Sequence, residues 1–350
     1  MDIANNLIDD EEFRAKYKES ANSPENATKL WNTYNRLCNV DPREMIKNGQ
    51  YSQLRDWFFK LLNVCKQIDG EAFKIIHKGH PYYFIGITSY YLHDYRTSIY
   101  FFDAAVQEDL NAGAEPKTNP KPSTRFLMLE GEADRQAAKE ITEYAQTKVQ
   151  RALDFYNDVT GKVKVTKLTL ENLRDKFIYK TLTNGIQPGL RTLVTSLIIF
   201  CVEWDYRNEH LEFEIAEKTS SQPFFLHIFE GCLLFESLLR NKPNPKPDAK
   251  TLDYLLRDED IKTKFGKDFS IIKRQLNKPN QRDYSIEDLH EYIQGYDNTI
   301  EKTLHITYVA RNVLGHNIGW DKSIKQDEYR KLCFIILSSC FYAIDCLWNI

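Results

Sequence analysis

Between Tyr51 and Cys65 the apolar residues Leu54, Trp57, Phe58, Leu61, Leu62 and Cys65 return every three or four positions. That is the period of one face of an α-helix, and a chain built on it must hide that face against other helices. The pattern returns after Pro188, with Leu190, Leu193, Val194, Leu197, Ile198 and Cys201. It returns again over Pro223–Arg240 and over Gln326–Trp348. Glycine is scarce at 14 residues, while long aromatic side chains make up 13% of the chain. Both favour helices over a sandwich of short strands and turns. The expected fold class is all-α.

The same numbers exclude several kinds of protein. With 47 Lys+Arg against 50 Asp+Glu the net charge is -3, too balanced for a chain that coats nucleic acid or membranes by bulk charge. The longest apolar run, Leu193–Val202, falls well short of the roughly 20 residues that span a bilayer. The acidic start, Met1–Glu12, is wrong for a secretory signal, so the expected location is the cytoplasm. The seven cysteines contain no C-x-x-C pair, which indicates reduced thiols and neither a disulfide framework nor a zinc ribbon. Those in apolar helices (Cys201, Cys232, Cys333, Cys340 and Cys346) read as core packing. His77 and His80 lie three apart without a clear third ligand, so no metal site is expected there. A phosphate-binding glycine loop, H-E-x-x-H and G-x-S-x-G are all missing, and no cofactor is implied.

Two proline-rich breaks punctuate the chain, Glu115–Pro122 and Asn241–Pro247, each containing Asn-Pro-Lys-Pro. A long helix is expected over Thr124–Asn157, and a short strand or extended connector over Gly161–Leu170. Thr169 reads as the N-cap of a helix over Leu170–Leu182. One polar helix is expected over Ala249–Phe265, and Ser285 with Asp288 as a capping box for the next. The resulting division is a helical domain over 1–160, a connecting segment over 161–221 and a helical bundle over 222–350.

Pro81–Leu110 predicts two helices broken near His93-Asp94. Tyr82, Ile85 and Gly86 in the first, and Tyr95, Ser98, Phe102 and Ala105 in the second, resemble a tetratricopeptide repeat. The small residues Gly86, Ser98 and Ala105 let the helices approach closely, with Phe102 filling the groove between them. Tyr51, Leu54, Phe58 and Leu61 match the second-helix half alone, and the 44 residues from Tyr51 to Tyr95 depart from a period of about 34. The aromatic stripe from Tyr82 to Phe102 is expected to be mostly core, with part lining a concave surface for a peptide or nucleotide regulator.

The most informative residues are Ala310-Arg311-Asn312-Val313-Leu314-Gly315-His316-Asn317. An Arg and a His separated by four residues near the end of a long helix, with polar Asn312 after the Arg, resemble the HEPN family (higher eukaryotes and prokaryotes nucleotide-binding). Glu236, in the apolar frame Phe235-Glu236-Ser237-Leu238-Leu239, matches the acidic position of an earlier helix in that family. The resemblance covers about Pro223–Ile350. It implies a dimeric, metal-independent endoribonuclease. Arg311 would hold the scissile phosphate, His316 would serve as general acid or base, Asn312 would position the phosphate or the His, and Glu236 would orient Arg311. Gly315 reads as a C-cap that ends the helix near Leu314. Such pairings resemble stress, toxin–antitoxin and phage-defence effectors. The alternative is a non-catalytic scaffold that binds a partner protein or nucleotide and dimerises through the bundle. Basic and acidic residues balance over 221–350, so an RNA-binding face requires cations gathered around Arg311.

Overall fold

The computed structural model describes residues 10–131, 136–161, 167–183, 188–211, 221–243, 245, 251–277, 284–316 and 323–348. Among them every regular element is a helix, so the protein is all-α. The chain divides into two compact units, residues 1–144 and 145–350. The division falls inside one helix, so residues 145–160 and the segment 161–221 group with the C-terminal unit.

In the first unit the helices are α1 (Glu11–Ser20), α2 (Pro24–Leu37), α3 (Pro42–Lys47), α4 (Tyr51–Ile68), α5 (Gly70–Ile75), α6 (Gly79–Tyr91), α7 (Tyr95–Asn111), α8 (Pro122–Leu127) and the start of α9 (Gln136–Thr160). Their starts are set by short polar side chains that accept from otherwise unpaired backbone N–H groups. Asp10, Ser23, Asp41, Asp69 and Asp94 do this for α1, α2, α3, α5 and α7. The break between α6 and α7 comes at His93, whose φ of 58° no helix can continue. The two helices then pack as a tight antiparallel pair. A Cβ at Gly86 would lie 2.8 Å from the Phe102 ring, so only glycine admits the ring there. Phe102 in turn meets Phe126 of α8, with ring centroids 4.5 Å apart. Polar atoms of large side chains stitch neighbouring elements: Trp31 Nε1 donates to the His77 carbonyl at 3.0 Å, and Trp57 Nε1 to Asn35 at 3.0 Å.

The expected helix over Thr124–Asn157 is two helices. α8 ends at Leu127, and Leu129 follows with φ 54°. The expected strand over Gly161–Leu170 falls largely outside the described residues, as does much of the charged stretch 203–218.

The second unit contains the rest of α9, then α10 (Leu170–Leu173), a π-helical turn (Arg174–Ile178), α11 (Tyr179–Thr183), α12 (Pro188–Leu211) and α13 (Gln222–Arg240). It continues with α14 (Leu252–Leu256), α15 (Glu259–Phe265), a 3-10 turn (Gly266–Phe269), α16 (Ser270–Leu276), α17 (Ile286–Gln294), α18 (Ile300–His316) and α19 (Gln326–Leu347). Thr169 and Asn172 form a capping box, as do Ser285 and Asp288. The single helix expected over Ala249–Phe265 is interrupted, because Asp258 caps a fresh start at Glu259.

α19 is the centre of this unit. Every residue from Leu332 to Asp345 is buried, because α12, α13 and α18 pack around it. Its buried polar atoms have partners, as burial demands. The Asp345 carboxylate accepts from Tyr156 at 3.0 Å and Lys176 at 2.9 Å, and Ser339 bonds Thr307 at 2.8 Å. Among the described residues no helix is long and apolar enough to cross a membrane.

Candidate active site

Glu236 sits near the C-terminal end of α13, and its side chain is buried. A buried carboxylate needs charged or hydrogen-bonding partners. It has two. Arg311 of α18 donates from Nε to Oε2 at 2.9 Å, and Arg240, one turn further along α13, donates from Nη2 to Oε1 at 2.8 Å. One anion thus holds two cations, and the local balance is positive. The side chains of Arg311 and Arg240 keep 22% and 39% exposure, so both guanidinium groups reach the surface while their anchor does not. Arg311 is gripped only through Nε. Its Nη groups make no hydrogen bond among the described residues and remain free to meet an incoming anion as a fork.

The apolar wall of this corner is Phe229, whose ring centroid lies 6.0 Å from the Arg311 guanidinium carbon. Gly315 forms its floor. A Cβ there would lie 2.9 Å from Arg311 Nη1 and 3.3 Å from Phe229. Gly315 is therefore not the C-cap expected from sequence. α18 runs through it to His316, and the glycine clears space for the Arg one turn earlier. The helix register consequently places Arg311 and His316 about 140° apart around the axis. The His316 side chain and Asn317 lie outside the described residues.

Asn312 is drawn elsewhere. It bonds the Tyr308 hydroxyl, one turn back on α18, which also bonds Asp253 of α14. Burial, followed by the nearby Asp253 charge, pushes the Tyr308 phenol above its usual value, so it stays protonated. The structure thus brings Glu236 and Arg311 together and ties Asn312 to a neighbouring polar chain. Arg240 was missed by the sequence reading. Its signal was the Glu-x-x-x-Arg spacing on α13, which ordinarily marks a surface helix pair.

Other chemistry-bearing side chains serve packing. Cys232 lies beside this corner, but burial drives its thiol far up despite the neighbouring Arg311, and Cys201 behaves likewise. Both are protonated and inert as nucleophiles. In the first unit His77 Nε2 pairs with Asp109 at 3.1 Å, and His80 packs edge-on against Phe84. In comparisons with known proteins no family model matches this chain, and neither a curated protein nor a solved structure matches it.

Proposed function

We propose that the C-terminal unit is a HEPN-type, metal-independent endoribonuclease that acts as a homodimer. The observation that supports this reading best is the buried Glu236 carboxylate holding Arg311 by Nε alone, with Arg240 on its other oxygen. That arrangement orients a guanidinium fork toward solvent and supplies the net positive charge an RNA phosphate requires.

In the reaction, the 2′-hydroxyl of RNA attacks the adjacent phosphorus. A bond from the 2′-oxygen to phosphorus forms as the bond from phosphorus to the 5′-oxygen breaks. A base takes the 2′-hydroxyl proton, and an acid protonates the departing 5′-oxygen. The products are a 2′,3′-cyclic phosphate and a 5′-hydroxyl. Arg311 neutralises the charge that grows on the phosphoryl oxygens, with Arg240 beside it, and His316 transfers the protons. DNA lacks the attacking hydroxyl and is not a substrate. The tetratricopeptide-like first unit senses or recruits, which fits a stress, toxin or phage-defence effector kept silent until triggered.

The test is RNA cleavage in EDTA by the wild type, Arg311→Ala and His316→Ala. The wild type is expected to cut RNA but not DNA, with each variant slower by about 10²-fold or more. Equal rates for all three would eliminate the site. If the wild type is silent in solution, growth arrest on expression is compared for the same three chains.

A further inference from the structure

The first unit contains a cleft of about 800 Å³ whose walls differ in chemistry. That size is in the range of small-molecule sites. One wall is the short helix α3, which presents Arg43 and Lys47. Both are exposed, and neither makes an ion pair among the described residues. The floor is aromatic: Tyr51 and Tyr91 are stacked with centroids 4.5 Å apart and planes 7° from parallel, next to Phe84. The opposite wall is the first turn of α9, where Glu140 supplies the only carboxylate among the lining residues. Its two oxygens are already oriented. Tyr91 donates to Oε2 at 2.8 Å, and Gln136 donates to Oε1 at 2.7 Å. Those two hydrogen bonds, Gln136 first, hold the Glu140 carboxyl below its usual range, so it is an acceptor at neutral pH.

We propose that this cleft binds a nucleotide, with its phosphate on Arg43 and Lys47, its base against the aromatic floor and its ribose hydroxyls on Glu140. The three chemical requirements of such a ligand are met on separate walls in the order in which a nucleotide carries them. An acidic peptide would satisfy the cations but would set its charge against Glu140. A purely apolar ligand would leave both cations without a partner. The inference concerns the first unit alone and stands apart from the nuclease reading.

The experiment is isothermal titration calorimetry of the full chain with AMP, GMP, CMP and UMP, with adenosine, guanosine, cytidine, uridine and inorganic phosphate as the separate halves. Mononucleotides contain no internucleotide bond, so the readout does not depend on cleavage, and failure here leaves the nuclease reading untouched. At least one mononucleotide is expected to bind with Kd below about 100 µM, and its nucleoside and free phosphate to bind at least about tenfold more weakly. The double variant Arg43→Ala/Lys47→Ala is expected to lose about tenfold or more in affinity with unchanged helical content, since both side chains are exposed. The proposal is overturned if no mononucleotide binds, if the nucleoside binds as tightly as the nucleotide, or if the double variant binds like the wild type.

Discussion

At the scale of single residues, the chain uses burial to fix protonation. His305 of α18 is buried against Tyr292, with ring centroids 4.8 Å apart, and its Nε2 has no hydrogen-bond partner among the described residues. Burial, and secondarily the Lys302 charge, lower its pKa to about 4; Glu301 opposes this weakly and Arg274 adds to it. The folded state therefore holds a neutral imidazole while the unfolded chain takes up a proton near pH 6.5. Above that value the group contributes nothing to the pH dependence. As pH falls toward 4 the unfolded state binds more protons and stability drops, by about 3 kcal/mol once both values are passed. Urea unfolding at stepwise pH should show this slope between pH 6.5 and 4, and His305→Gln should flatten it. Residue identity carried part of the site in plain view: Arg311 and Glu236 were legible because a charge in an apolar frame demands a reason. Arg240 was not, because a Glu–Arg pair four apart looks the same in sequence whether its carboxylate is buried or solvated. Gly315 was misread for a related reason. A glycine past an apolar run signals a helix end, and the same letter also marks where a long side chain crosses a continuing helix.

At the scale of elements, the starts of helices were easier to read than their interruptions. Capping residues announce themselves, so the boxes at Thr169 and Ser285 stand where the sequence puts them. The breaks at Leu129 and Asp258 carry no proline and follow uninterrupted apolar periodicity, so only tertiary packing decides them. Close crossings are likewise set by partners distant in sequence. At Gly231 of α13 a Cβ would lie 2.4 Å from Phe200 of α12 and 2.9 Å from Ile336 of α19, all three buried. Gly231→Ala should improve helix propensity by about 1 kcal/mol yet force Phe200 off its position. The expected net result is a loss of about 1–3 kcal/mol in thermal or urea unfolding. A neutral or stabilised variant would mean the crossing is looser than described.

At the scale of the whole molecule, α13 presents an apolar face to solvent beside the candidate site. Leu226 and Leu233 are 40% and 38% exposed, and Phe229 lies between them on the same face. The proposed homodimer would cover this stripe and bring two Glu236–Arg311 corners near one another, relieving the wide angle between Arg311 and His316 within one chain. Leu226→Glu/Leu233→Glu should give a monomer in light scattering and abolish RNA cleavage together. A dimer that survives both substitutions would move the interface elsewhere. Fold class was readable from periodicity alone, because helical spacing persists whatever surrounds it. The division at Tyr144 was not, since it falls inside an uninterrupted helix and leaves no mark in composition.

The π-helical turn at Arg174–Ile178 has a historical meaning. Such a turn is what an α-helix becomes when it absorbs one extra residue without giving up its backbone bonding. Lys176, which reaches Asp345, sits within it. A related chain one residue shorter at this point would carry a regular helix here. Every side chain beyond would then be turned by about 100°, and the lysine–aspartate link would have to be built from a different position. The turn is thus a place where ancestry and present structure are recorded in the same five residues.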